Sequence, residues 1–251
     1  MNKERYLSLL KLATTIAIVA GLMIHIGGFM SGFTGFFFRS SGNDTSFSDD
    51  YSGVKEIDID VDLMNITIKK GSSFTVDYQG NEKLKPKIKM DEKDGKLSIT
   101  QSSSIKKVKN SYKSELAITV PDGTVFEKIV VNADLGNLVM SDVTCKDLEL
   151  DLDLGNVDAT RVKAEELTVD ADLGNVEFHE STIGEADIDA DLGNISLELT
   201  DDVKSYKIEA EASMGNIEID GEKVKNDYEQ SGDLGKIKLN CDMGNISVYT
   251  K

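Results

Sequence analysis

The sequence predicts an all-β domain, a β-solenoid (parallel β-helix-like) built from coils of 19–22 residues and preceded by one transmembrane α-helix. Three observations predict it: a short phrase that recurs at near-constant spacing, apolar residues that alternate with period two around it, and one long uncharged segment near the N-terminus.

The uncharged segment comes first in the chain. From Leu12 to Phe38 there are 27 residues without Asp, Glu, Lys or Arg, and a bilayer core of ~30 Å needs only about 20 helical residues. Residues 1–11 form the tail before it, with Lys3, Arg5 and Lys11 against Glu4, whereas Asp44, Asp49 and Asp50 follow it. The positive-inside bias therefore makes 1–11 a cytoplasmic tail, 12–38 a single-pass membrane helix, and the rest extracytoplasmic at the cell membrane. A cleaved signal peptide is the competing reading, but the apolar stretch is long for one and no A-x-A-like site follows it. Gly28 and Gly32 fit a small-xxx-small helix-pairing pattern, and His25 lies alone within the span. Residues 39–53 have the small, polar composition of a linker.

Charge divides what remains. Residues 1–54 balance at zero, 55–114 carry +4, and 115–251 carry −21, which together make the net −17. A surface of that sign repels nucleic acid. Residues 54–126 alternate, as in Ile57, Ile59, Val61 and later Leu116, Ile118, Val120, but with irregular spacing and a basic stretch from Lys83 to Lys89. An atypical first part is expected of a repeat array, whose end must be closed against further strand addition. The last strand, from Ile246, has no following element to cover it and is expected to be an open edge.

Residues 127–251 hold the regular repeat. Asp-Leu-Gly-Asn or a close variant recurs at Gly136-Asn137, Gly155-Asn156, Gly174-Asn175, Gly193-Asn194, Gly215-Asn216 and Gly244-Asn245, with gaps between glycines of 19, 19, 19, 22 and 29 residues. Asp62 to Asn65 is a degenerate earlier copy. Around each phrase the apolar residues alternate, as in Leu148, Leu150, Leu152, Leu154 and then Val157, Ala159. Each unit is thus a strand, a Gly-Asn corner, a second strand and a polar return, one of which contains Arg161 and the next Glu180. An antiparallel sandwich of hairpins is the rival arrangement. The solenoid is preferred because a polar Asn fixed at one coil position has a clear role only where identical side chains stack into an amide ladder. Glycine is expected there for a positive φ.

Asp-x-Asp pairs precede the corners: Asp151/Asp153, Asp170/Asp172 and Asp189/Asp191. Alternation puts them on one outward face, where stacked carboxylates repel and where Ca²⁺, which takes 6 to 8 oxygens, would relieve the repulsion. The spacing is not that of an EF-hand, and the plainer reading is a solvated acidic face that opposes sheet-to-sheet association. No other cofactor is suggested. Cys145 and Cys241 form no CxxC or Cys/His cluster and read as buried fillers, too many coils apart to bond. There is no G-x-S-x-G, P-loop or H-E-x-x-H, and His179 stands alone.

An N-terminal anchor followed by short β units with Gly-Asn or Gly-Asp corners resembles the bacterial "putative adhesin" family, the LiaG-like group of β-strand-repeat domains of unknown function. The resemblance covers about residues 54–251, and its most typical stretch is Ser231-Gly232-Asp233-Leu234-Gly235-Lys236-Ile237, then Cys241-Asp242-Met243-Gly244-Asn245-Ile246. The chain departs from the usual Thr/Ser-Ser-Gly-Asp corner by using Asp-Leu-Gly-Asn. The resemblance implies a cell-envelope protein, in some members linked to envelope stress, and brings no catalytic residue. The expectation is a non-catalytic, membrane-anchored module that binds an envelope protein or wall polymer. A self-associating homo-oligomeric element is the alternative, and a carbohydrate-active enzyme, needing two carboxyls in different environments, is the third reading.

Overall fold

The computed structural model describes residues 44–102 and 114–251 of the 251-residue protein. The expected cytoplasmic tail, 1–11, and membrane helix, 12–38, lie outside the described residues, among which no helix is long and apolar enough to cross a membrane.

Within the domain the 19-residue period is one coil of a two-sheet stack. The first sheet pairs β8 (Phe126–Leu135) with β10 (Thr144–Leu154), β10 with β12 (Lys163–Leu173), and β12 with the second half of β13 (Val176–Leu192), all parallel and in register. The second sheet pairs β9 (Leu138–Ser141), β11 (Val157–Thr160), the start of β13 and β14 (Ile195–Leu199), again parallel. Parallel in-register pairing is the solenoid arrangement and excludes a sandwich of hairpins for these coils.

Because each coil repeats the register of the last, inward side chains form columns. One runs Ile99, Ile59, Val131, Leu150, Val169, Ile188, Leu239 and Ala210 across the first sheet. Ile118, Ile68, Met140, Ala159, Phe178, Leu197, Val248 and Ile219 face it from the second. All belong to one continuous core, and full burial of each large aliphatic or Phe side chain stabilises by ~1.5–3 kcal/mol. Phe178 beside Ala159 shows large and small residues sharing one column.

Both ends depart from chain order. At the N-terminal end, β2 (Glu56–Val61) and β3 (Asn65–Gly71) pair with β8 and β9 on one side. On the other they pair with β6 (Lys96–Gln101) and β7 (Ser114–Pro121). Three antiparallel strands close this end: β4 (Thr75–Asn81) on β7, β5 (Lys87–Asp91) on β6, and β1 (Asp44–Asp50) on β4. At the other end β15 (Lys207–Met214) and β16 (Ile217–Ile219) form the outermost coil, closed by antiparallel β17 (Glu222–Val224) and β18 (Asp227–Gln230). The chain then returns, so that β19 (Lys236–Met243) and β20 (Ile246–Thr250) insert between this coil and the coil of β13 and β14.

Two sequence expectations are corrected by this topology. The last strand is not an open edge, because β20 is hydrogen-bonded on both sides, to β14 and β16. Residues 44–50, expected to be linker, are strand β1. Their period-two alternation puts Phe47 on Tyr78 with ring centroids 5.6 Å apart, beneath the Lys85 ammonium, and a single aromatic among polar residues gives too weak a pattern to read as a strand. The insertion of β19 places Cys241 in the column of Ala190, Ala171 and Leu152, seven residues along the strand from the column of Cys145, and both thiols are free and buried.

Candidate functional site: the Gly-Asn corner and its acidic face

The recurring Asn residues form a hydrogen-bonded ladder of one polarity. The backbone N–H of Asn137 donates to Asn65 Oδ1 (3.0 Å), that of Asn156 to Asn137 Oδ1 (3.0 Å), and that of Asn175 to Asn156 Oδ1 (2.9 Å). The series continues from Asn194 to Asn175, Asn245 to Asn194 and Asn216 to Asn245, at 3.0–3.1 Å. At Asn156, Asn194, Asn245 and Asn216 the side-chain amide donates to the same acceptor. Each corner N–H, which would otherwise lack a partner in the sheet, is thereby satisfied by the neighbouring coil.

The glycines have a different reason from the one the sequence suggests. Positive φ in the left-handed range occurs at Gly136 (150°) and, at its limit, at Gly193 (159°) and Gly244 (158°), but not at Gly155, Gly174 or Gly215. What all six share is close approach of stacked backbones. A Cβ on Gly155 would fall on the carbonyl oxygen of Gly136, one on Gly174 on that of Gly155, and one on Gly215 on that of Gly244.

Immediately before this corner the first sheet carries its acidic residues outward. Asp151, Asp170 and Asp189 lie in one column, flanked by Asn132 and Asn240. Two residues on, Asp153, Asp172 and Asp191 lie beside Asp134 and Asp242 in a second column, and all these carboxylates are exposed. Burial, and then the charges of Asp151, Asp172, Asp189 and Asp191, raise the pKa of Asp170. Asp134 is raised by burial and then by Asp62 and Asp153, ahead of smaller contributions. Both shifts run in the same direction and arise from the same two causes, burial and neighbouring carboxylates. Among the described residues no group of three or more His, Cys, Asp or Glu is gathered as a metal site.

Further from the corner the same face is neutralised. Lys128 meets Asp147 (2.8 Å) and Glu149, Lys238 meets Asp187 (3.0 Å), and Lys96 meets Asp58 (2.7 Å). Lys207 and Lys236 both bond Glu209 and hold its pKa down to about 2. None of Asp134, Asp151, Asp153, Asp170, Asp172, Asp189, Asp191 and Asp242 has such a base among the described residues. The negative charge is therefore concentrated along one corner.

The sequence pattern missed the leucine of the repeat. Its parity assigns it to the core, yet Leu135, Leu154, Leu173, Leu192, Met243 and Met214 stack in one column at the rim, where the first sheet ends. Leu135 is 37% and Met214 63% exposed, with the four between them half-buried. The signal was available: an apolar residue immediately before Gly stands at a strand end, where the opposite sheet no longer covers it. His179, on the second sheet, lies 3.5 Å from Glu177 and 3.7 Å from Glu198 and belongs to a separate surface.

A parallel stack with repeating Gly-Asn corners and antiparallel end strands defines a β-repeat protein of the Toastrack type. The chain belongs to the Toastrack DUF4097 family, whose model matches residues 54–249. Among solved structures it is similar to a "putative cell adhesion protein" from Clostridium sporogenes (14% identity, 83% of this chain and 100% of that chain, TM-score 0.46). It is also similar to a "putative adhesin" from Bacteroides fragilis (14%, 83% and 98%, TM-score 0.49). A third similar structure is a "putative lipid binding protein" from Parabacteroides distasonis (14%, 82% and 97%, TM-score 0.29). No curated protein matches the chain.

Proposed function

We propose that the protein is a non-catalytic, membrane-anchored module of the cell envelope that presents its acidic corner face to a protein or wall-polymer partner outside the membrane. The observation that carries the reading is the concentration of carboxylates without basic partners on a stack whose backbone is hydrogen-bonded coil to coil. A rigid surface of fixed charge suits recognition. Catalysis by carboxylates requires two acids in unlike environments, whereas here equivalent acids recur with each coil.

The end strands favour this face over self-association through coil ends. β17 and β18 are short, and β5 carries Lys87 and Lys89 at its edge, features that blunt strand addition.

The location is tested by placing a single reactive thiol on the second sheet, Ser196→Cys, in the full chain. The native thiols give a low background, since both are buried and burial pushes Cys145 up to about 12. A membrane-impermeant maleimide should label intact cells, and the labelled protein should stay with carbonate-washed membranes. Labelling only after lysis would place the domain inside the cell and sink the proposal, and release by carbonate would remove the anchor.

A further inference from the structure

The rim column of Leu135, Leu154, Leu173, Leu192, Met243 and Met214 is an apolar stripe, half-buried along its middle and exposed at its two ends, that recurs with each coil. Leu135, which is 37% exposed, stacks on Leu154 on one side; on the other the register of β2 ends with Val61 opposite Ala133, and the Leu135 carbonyl accepts from the Met64 N–H. Five steps at ~4.8 Å give the stripe a length of about 24 Å.

Its setting determines what can cover it. Asp134, Asp153, Asp172, Asp191 and Asp242 each precede a member of the stripe by one residue, and Asp151, Asp170 and Asp189 lie two residues further back on the same outward face. Beyond the stripe runs the Asn ladder, whose backbone donors are already satisfied within the stack. An occupant must offer apolar groups to the centre and positive charge to one flank. An anionic membrane surface offers the wrong sign, and a neutral glycan offers no charge to match.

Spacing chooses between polypeptide conformations. Same-face residues of an extended strand recur at ~6.8 Å, whereas one turn of an α-helix rises 5.4 Å, closer to the rungs at ~4.8 Å. A helix of about 16 residues covers the stripe from end to end. Resting on the reading of this face as a partner surface, we infer that the corner is a docking surface for a basic amphipathic helix. The apolar face of that helix lies along the leucine column and its Lys or Arg residues lie along the aspartates.

The test uses the full chain in nanodiscs of neutral lipid and a labelled 16-residue Leu/Lys peptide with its leucines on one helical face, read by fluorescence anisotropy. A peptide of identical composition, scrambled so that no apolar face forms, is the reference. The expected result is binding at least about tenfold tighter for the amphipathic peptide, weakening as salt rises. The triple variant Asp153→Asn, Asp172→Asn, Asp191→Asn should lose about tenfold or more and much of the salt dependence. The triple variant Leu154→Gln, Leu173→Gln, Leu192→Gln should reduce the advantage of the amphipathic peptide while leaving the scrambled one unchanged. All three aspartates are exposed, so the first variant keeps its β circular dichroism and decides the matter even if the second does not fold. Equal binding of the two peptides, wild-type affinity in the aspartate variant, or no binding at micromolar peptide would each overturn the proposal. So would preferential binding to anionic vesicles or to wall glycan. Surface labelling with failed peptide binding rejects the docking surface alone, whereas failed labelling rejects the envelope reading.

Discussion

Each coil turns two corners, and they are built on opposite rules. At the Gly-Asn corner the backbones of adjacent coils approach so closely that a Cβ would strike the next carbonyl. Residue identity there is fixed by the stack itself. At the return, Asp142, Arg161 and Glu180 occupy one coil position with φ of 56°, 53° and 50°. These are left-handed positions where glycine would be comfortable, yet each carries a charged side chain. Arg161 makes a two-pronged contact with Asp142 (2.7 and 2.8 Å), and Glu180 meets Lys251 at 2.8 Å. Space outside the return lets side chains differ from coil to coil and pair by charge, whereas the tight corner admits one solution and leaves the adjacent aspartates without bases. Backbone proximity is a stronger constraint on sequence than backbone conformation in this protein.

The largest effect should come from breaking the tight corner. Gly174→Ala puts a methyl group on the Gly155 carbonyl and should cost at least about 3 kcal/mol, or prevent folding, in chemical denaturation. Gly221→Ala, at a turn with φ of 79° and open space around the added atom, should cost only about 1 kcal/mol. Equal costs would remove the distinction between proximity and conformation.

Removing one rung should cost less. Asn175→Ala leaves the exposed N–H and side-chain amide of Asn194 without their acceptor, a loss of about 0.5–1.5 kcal/mol because water can replace it. At the open return, Arg161→Gly exchanges an exposed ion pair for relief of a left-handed residue, two small opposed effects, so the midpoint should move by less than about 1 kcal/mol.

The smallest effect should be a gain. Burial and four surrounding carboxylates raise the pKa of Asp170 in the folded state. A carboxylate of raised pKa favours folding below its unfolded value and loses that contribution as pH rises through the folded value. Its charge therefore opposes folding at neutral pH. Asp170→Asn should stabilise by about 0.5 kcal/mol at pH 7 and low salt, the scale of one unfavourable cross-strand pair. The gain should fade as pH falls through the raised folded value, where the native aspartate takes up its proton. Glu209 behaves oppositely: Lys207 and Lys236 hold it low, so its contribution is present at neutral pH and lost as acid approaches about 2. A gain from Asp170→Asn that persists at pH 3 would show that repulsion is not its source.

The regular coils were legible in the sequence because period and alternation survive without any knowledge of contacts. The 19-residue spacing gives the coil, and a recurring polar residue points to stacking, down to the degenerate copy at Asn65, whose Oδ1 accepts from Asn137. The ends were not legible. Insertion of β19 and β20 between earlier coils is a long-range choice that leaves the local pattern of Ile246 and Val248 unchanged. Strand β1 is held by Phe47 on Tyr78 rather than by an apolar face of its own. The acidic columns were found by alternation, but their lack of bases was not, because Lys128 and Lys238 reach across neighbouring strands that only the register identifies. The rim leucines were misassigned for a related reason: period two gives the direction of a side chain but not where the opposite sheet ends.

The one-way order of the Asn ladder ties each coil to the next, and amide hydrogen exchange in the full chain tests it most directly. Asn156 accepts from Asn175 and itself donates to Asn137. In Asn156→Ala the backbone amide of residue 175 should exchange at least about tenfold faster while that of residue 156 stays protected, since its own acceptor is untouched. Unchanged protection at residue 175, or equal loss at both positions, would contradict a ladder in which each coil is held by the amide of the one before it.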